Sequence, residues 1–332
     1  MKASNLFIQA IAVSALTVCL GAPLAQAQSK EAPAASSLDG CPSKTILSRF
    51  IQFGKTGKMP PDLGRWLGDP KAQAVEPYQA FDNVHYVGVC WVSAWLVETS
   101  DGYVLIDTLH EPFVDLLIGN IEKLGVDMAD IKYVLMTHGH FDHVGGAYKL
   151  KPLMPNAEFV MTQAGWDEGF ASSAKSQGGR RPWTFVDKIG TVAKDGQAFT
   201  LGGATFTAYE TPGHTFGTAS YGFEAKDGDT THHAFTVGGL GLNAIKCEAQ
   251  VKAYIDSVKR IQDLAASNNA PITVHLTTHG FSTGLPEAAS KIPDRKAGEP
   301  HPLVDPEGFQ KQLAGLQGRA EKRLIIERNK SC

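Results

Sequence analysis

Cysteine is sparse in this chain, five residues in 332. None stands in a C-x-x-C pair or beside a run of histidines, which excludes dithiol redox motifs and thiolate metal ribbons. An excess of one charge is missing as well. The 31 basic residues balance 34 acidic ones without forming a basic stripe, so there is no electrostatic footprint for nucleic acid or an anionic membrane surface. The apolar run from Leu6 to Leu20 is interrupted by Gln9 and Ser14 and falls short of the roughly 20 apolar residues that a membrane-spanning helix needs. No segment recurs with a period of 20 to 50 residues, which sets aside solenoids and propellers.

The interrupted run has another reading. Lys2, the apolar stretch behind it and Ala25-Gln26-Ala27 have the three-part form of a secretory signal peptide, expected over residues 1–27. The mature protein then starts at Gln28 and is periplasmic or secreted, with no stable membrane insertion. Leu16-Thr17-Val18-Cys19 is a rival lipoprotein site, but large Val18 and Leu20 fit poorly beside the cysteine. An oxidising compartment lets disulfides persist. Cys41, Cys90, Cys247 and Cys332 allow three complete pairings, all open at this stage. Residues 28–40 are rich in Ala, Ser, Pro and Lys and are expected to form a flexible segment. Residues 41–82 read as an N-terminal arm with a short helix over 45–53, followed by a Gly- and Pro-broken stretch carrying Trp66.

The chemistry concentrates in Tyr133 to Gly146, YVLMTHGHFDHVGG. A short apolar run suited to a buried strand leads straight into His138, His140, Asp142 and His143. At a strand end His138 and His140 lie on one side, because the period is two, and after the turn Asp142 and His143 face the same point from a second direction. Two neighbouring cations suit this better than one. Imidazole and carboxylate without thiolate favour Zn²⁺, with Fe or Mn as alternatives. Further histidines follow strand-like runs at His214, in ETPGHT, and at His275 and His279, in VHLTTHG. His279, at the strand exit beside Gly280, is preferred over His275, which sits inside the strand. His232 and His233 flank a turn and read as solvated. His85, His110 and His301 read as ordinary surface or core residues.

Here the sequence resembles the metallo-β-lactamase superfamily, whose HxHxDH motif is matched by His138-Gly139-His140-Phe141-Asp142-His143. The resemblance runs from about residue 76 to the C-terminal helix. It is nearest to the subclass of metallo-β-lactamases that builds both zinc sites from histidine and aspartate alone. The resemblance implies two Zn²⁺ per chain, one held by His138, His140 and His214 and the other by Asp142, His143 and His279. It also makes Asp107, at the end of the strand YVLID, a residue that orients a ligand histidine.

Strands are expected over 84–86, 91–98, 103–107, 132–136 and 158–161, with helices over 114–124, 163–171, 248–266 and 306–327. An antiparallel run is expected over 190–193, 198–201, 204–209, 218–223 and 233–237, and a mobile loop over 172–183. Ligands spread from His138 to His279 argue for one domain over residues 41–332. With the resemblance, this makes a four-layer αββα sandwich in the α/β class. The chemistry expected is hydrolysis of an acyl bond in a small-molecule substrate by a water that two metals acidify, with Asp142 steering the proton and no serine or cysteine nucleophile. Relatives that act on lactones, thioesters or phosphodiesters usually carry a bridging aspartate where this chain reads AFTVGGLG over 234–241. Its lack favours a β-lactamase-like site. Yet Gly238 and Gly239 also supply no hydroxyl to hold a substrate carboxylate, so another amide, lactone or ester is the alternative, and a non-catalytic metal-binding protein a third.

Overall fold

Strands that are apolar at consecutive positions need cover on both faces. Trp95-Leu96-Val97, Val104-Leu105-Ile106 and Val134-Leu135 are such runs, and all of these residues are buried. The computed structural model, which describes residues 37–332, shows where the cover comes from. One sheet runs in chain order through β1 (Tyr78–Phe81), β2 (Val84–Tyr86), β3 (Trp95–Thr99), β4 (Gly102–Ile106), β5 (Ile131–Leu135), β6 (Glu158–Met161) and β7 (Thr191–Val192). A second comprises β8 (Ala198–Leu201), β9 (Ala204–Glu210), β10 (Ala219–Asp227), β11 (Thr230–Thr236) and β12 (Ile272–His275), in the order β12-β11-β10-β9-β8. Trp95, Val97, Val104, Ile106 and Leu135 of the first sheet meet Phe206, Tyr221, Phe223, Ala234 and Val274 of the second.

The intervening residues, Leu96, Leu105, Val134 and Phe159, face the other way. They meet Val114, Leu117 and Ile121 of α4 (Val114–Lys123) and Trp166 of α7 (Gln163–Ser176). Preceding these helices are α1 (Ser43–Thr56), α2 (Pro61–Trp66) and α3 (Pro70–Gln73); between them lie α5 (Phe141–Val144) and α6 (Ala147–Leu150). The outer face of the second sheet is covered by α8 (Glu248–Ala265) and α10 (Pro306–Glu327), with the short α9 (Leu285–Ala289) between them. Val251, Tyr254 and Val258 of α8 pack with Phe309, Leu313 and Leu316 of α10. Helix, sheet, sheet, helix is the αββα sandwich expected.

Several sequence expectations need correction. The strand expected over 91–98 begins only at Trp95, because residues 87–94 fold back on themselves through Val87 N to Ala94 O and Val89 N to Val92 O. Thr191–Val192 does not join the antiparallel run; it pairs in parallel with β6 at the edge of the first sheet. The loop expected over 172–183 is helical as far as Ser176, and the hydroxyls of Ser173 and Ser176 both donate to the Trp183 carbonyl. Tyr78–Phe81, assigned to the arm, is a strand of the sandwich. His232 and His233 lie in β11 and are half-buried rather than solvated.

Disulfides join Cys41 to Cys90 and Cys247 to Cys332. Around the first, Leu38, Ile46, Leu63, Trp66 and Phe281 form a small apolar cluster that docks the arm. Leu38 is fully buried there, so the looseness expected over 28–40 does not extend to that residue. The expected signal peptide, residues 1–27, and residues 28–36 lie outside the described residues.

Candidate metal centre

Three strand ends deliver the site. Beyond β5 come His138 and His140; α5 follows at once, and its first turn carries Asp142 and His143. His214 lies in the turn after β9, and His279 four residues beyond the end of β12. Two groups of three result: His138 with His140 and His214, and Asp142 with His143 and His279. One sheet supplies four of these side chains and the other sheet two, so the centre sits where the layers meet.

In the first group His140 Nδ1 lies 3.1 Å from both His138 Nε2 and His214 Nε2. In the second, His143 Nε2 is 3.3 Å from His279 Nε2, and Asp142 Oδ2 is 3.4 and 3.6 Å from those two nitrogens. Ligand atoms on a tetrahedral zinc at ordinary nitrogen distances stand roughly 3.3 Å apart, so both groups have the spacing of metal-ligand faces.

Hydrogen bonding alone does not account for the spacing. Each imidazole that turns Nε2 inward donates from Nδ1 outward: His138 to Thr137 Oγ1 (3.1 Å), His143 to Asp107 Oδ2 (2.8 Å), His214 to the Gly241 carbonyl (2.6 Å) and His279 to the Trp91 carbonyl (2.8 Å). These bonds fix the tautomer and leave lone pairs converging. His140 has one Nδ1 proton at most for two facing nitrogens, and in the second group His143 Nε2, with one proton at most, faces both the His279 Nε2 lone pair and the Asp142 carboxylate. A cation resolves both.

The electrostatics agree. Burial, reinforced by His140, brings the His214 imidazole down to about 3, and burial with His143 brings His279 to about 4. Burial likewise holds His138 well below its ordinary value. These rings are neutral at pH 7, as ligands must be. Burial alone would push His143 down, yet the Asp142 and Asp107 carboxylates raise it to about 10. Burial would raise Asp142, but His143 and His279 hold it well below the carboxylate range. Without a metal, His143 carries the positive charge that the two carboxylates demand.

Asp107 lies where the sequence places it, just past β4, with φ of 63° and fully buried. Its Oδ1 accepts from Thr137 N (2.8 Å) and its Oδ2 from Thr137 Oγ1 (3.0 Å). One carboxylate therefore orients His143 directly and His138 through Thr137. Sequence reasoning missed Thr137, although it abuts the motif, and missed the backbone carbonyls of Trp91 and Gly241, which no side-chain pattern could signal. It also missed Glu168, whose Oε1 accepts from Gly217 N at 3.0 Å behind the His214 turn. His275 is not at the site; it lies within β12 and bonds Gln312 of α10.

Two glycines are dictated by contact. A Cβ on Gly139, between the first two histidines, would lie 2.6 Å from the Gly169 nitrogen of α7. A Cβ on Gly239 would lie 2.5 Å from His214 Cβ, so no larger residue fits against that histidine. The open side of the centre is at His140 and His279, both half-buried. Aromatic rings border it: Trp91 lies 6.2 Å from the His279 ring and Phe281 5.7 Å, and Phe50 of α1 stacks on Phe281 at 4.9 Å.

Residues 87–228 match the model of the metallo-beta-lactamase superfamily. That stretch contains five of the six clustered residues and ends before His279. Among solved structures, a subclass B3 metallo-beta-lactamase of Bradyrhizobium japonicum superposes with a TM-score of 0.64 at 26% identity, over 77% of this chain and 96% of that one. An N-acyl homoserine lactonase of Agrobacterium fabrum is 30% identical over 113 residues, 31% of this chain and 40% of its own. An atrochrysone carboxyl ACP thioesterase of Aspergillus aculeatus is 23% identical over 232 residues, 69% of this chain and 61% of its own. Across curated relatives, the matched stretch spans 27% to 61% of the relative's length. The family match, the αββα fold and two groups at the strand ends that could hold metal ions agree: residues 87–228 form a domain of the metallo-β-lactamase superfamily, whose members are metal-dependent hydrolases.

Proposed function

We propose that this chain is an exported di-zinc hydrolase that opens the amide bond of β-lactams. The observation that carries the reading is the lack of a carboxylate in the stretch after β11, where Gly239 lies against His214. Gly239 packs on His214 so closely that a side chain is excluded there, and a centre made of histidine and Asp142 alone is the arrangement that the resemblance to the histidine-aspartate subclass implies. The likeness to the subclass B3 enzyme supports the same reading.

Zinc, when bound, supplies Lewis acidity, lowering the pKa of water and polarising an acyl carbonyl. His138, His140 and His214 would hold one ion, and Asp142, His143 and His279 the other. Asp107 keeps two of these rings in the tautomer that presents Nε2. Asp142 turns Oδ2 to the two imidazoles and is the group that would steer the proton. The rings of Trp91 and Phe281 exclude water from one side and offer an apolar body a surface.

A second reading is hydrolysis of a different amide, a lactone or an ester at the same centre. It is favoured by the absence of any hydroxyl on Gly238 and Gly239, and by relatives that include a lactonase and a thioesterase. The discriminating experiment is turnover of nitrocefin and a carbapenem, with and without chelator, beside a panel of lactones and esters. Chelator-sensitive β-lactam turnover supports the first reading. Turnover confined to the panel replaces it with the second, and no turnover in zinc-loaded protein removes both. Export rests on the signal-like residues 1–27 and is supported by the two disulfides. Mass spectrometry of the exported protein should find Gln28 at its start; an intact Met1, or lipid on Cys19, would overturn this.

A further inference from the structure

A glutamine in the first turn of a helix ordinarily serves as a cap, accepting from a backbone N–H just ahead of that turn. Gln250 holds such a position in α8, and its Oε1 accepts from Lys246 N at 3.0 Å. The other end of its amide does something that a cap does not require. Nε2 donates to the His214 carbonyl at 3.0 Å, a residue 36 positions earlier in the chain, and to the Ala244 carbonyl at 3.3 Å. Gln250 is buried, and all three bonds go to main chain.

These bonds close a ring of contacts around His214. Its Nδ1 donates to the Gly241 carbonyl at 2.6 Å, and Gly239 leaves no room for a side chain beside its Cβ. Both glycines belong to the stretch 237–247, which Gln250 grips at Ala244 and Lys246. One side chain therefore ties the main chain of His214 to the segment that fixes its ring. His214 sits in a turn, where no strand or helix ladder satisfies its carbonyl, and a buried carbonyl needs a partner. Without Gln250 the turn has to move to find one, and Nε2 moves with it.

The stretch 237–247 has other supports. Tyr254 Oη donates to the Leu240 carbonyl at 2.9 Å, Arg323 Nη2 donates to the Ile245 carbonyl at 3.0 Å, and Cys332 is bonded to Cys247. None of these three bonds ends on His214. They hold the segment in place, whereas Gln250 joins it to the residue that turns toward His140.

We propose that Gln250 is a positioning residue for the metal that His138, His140 and His214 would hold, setting where His214 Nε2 stands by joining its main chain to the segment that accepts from its ring. The inference rests on the metal reading of that group and not on the substrate. The test is Gln250→Met, which keeps the length and bulk of the side chain and removes all three bonds, placed in two full-length backgrounds. His279→Ala leaves the first group whole and breaks the second; His214→Ala does the reverse. Zinc affinity is read in each by competition with a chromophoric chelator. Gln250→Met should weaken zinc about tenfold in the His279→Ala background. In the His214→Ala background it should leave the affinity unchanged to within about twofold, a contrast that a general loosening of α8 would not produce. Tyr254→Phe, which frees the Leu240 carbonyl without touching the His214 main chain, should move the first affinity much less. Metal-free Gln250→Met should still unfold cooperatively, because the other supports of the stretch remain. Equal weakening in both backgrounds, no weakening in either, or an effect of Tyr254→Phe as large as that of Gln250→Met would overturn the proposal. Loss of cooperative unfolding would overturn it too, by showing that Gln250 serves the fold and not the metal. A His279→Ala protein that binds no zinc would instead overturn the metal reading of the first group, and the role of Gln250 with it.

Discussion

Asp107 Oδ2 accepts from His143 Nδ1 and from Thr137 Oγ1, and Thr137 Oγ1 in turn accepts from His138 Nδ1. The two metal groups thus share one anchor, although Asp107 belongs to neither. Loss of such an outer partner typically costs 10- to 100-fold in metal affinity. Asp107→Ala should therefore weaken both metals by about that factor, read by competition with a chromophoric chelator. A variant that weakens only the metal at His143, or neither, would show that Thr137 holds His138 unaided. Asp142 acts differently, since it is placed both to bind and to manage a proton. Asp142→Asn should lower kcat far more than it changes KM, the pattern of an interaction made in the transition state. Metal content has to be measured on the same sample, and full metal with near-normal kcat would sink the proposal. Thr137 was invisible to motif reading because its role exists only once Asp107, 30 residues earlier, is beside it.

The 87–94 segment acts as a unit. It carries the Trp91 carbonyl that accepts from His279 Nδ1, Ser93 N donates to the Thr278 carbonyl at 2.9 Å, and Cys90 ties the segment to Cys41 ahead of α1. Its expected strand character was wrong for the reason that makes it useful: the backbone folds back and spends its hydrogen bonds on itself and on the His279 turn. Replacing both Cys41 and Cys90 with Ser removes a link across 49 residues and should cost about 2–4 kcal/mol of stability. Thermal unfolding should report that loss. The same variant should weaken the metal at Asp142, His143 and His279 more than the metal at His138, His140 and His214, because only the former leans on Trp91. Equal weakening of both would mean that the disulfide acts on the fold as a whole and not through this segment.

The six clustered residues come from both sheets, so a metal held by either group would cross-link the two layers. Ligands that bind only the folded state stabilise it by an amount set by their concentration relative to Kd, about 2.7 kcal/mol per site at a hundredfold excess. Stripping the metals with a chelator should therefore lower Tm, and re-adding zinc should restore it. In His214→Ala the chelator-induced drop should be markedly smaller, since one group has lost its residue from the second sheet. An unchanged drop in that variant would place the stabilising metal elsewhere.

Only features of short range follow from the order of residues alone. His138, His140, Asp142 and His143 span six residues, so covalent geometry alone brings them onto one turn once a strand ends there. The long amphipathic helices were legible for a similar reason: the period that marks Phe309, Leu313, Leu316 and Ala320 depends only on the helix containing them, and all four are buried. The tertiary structure decided everything that needs distant segments to meet. His214 and His279 join the motif from 71 and 136 residues beyond His143. Cys41 chose Cys90, and Cys247 chose Cys332, from pairings that composition left equal. Two backbone carbonyls, of Trp91 and Gly241, became the partners of clustered imidazoles. Every residue carries such a carbonyl, so nothing in its side chain marks it; only the path of the folded chain distinguishes one carbonyl from another.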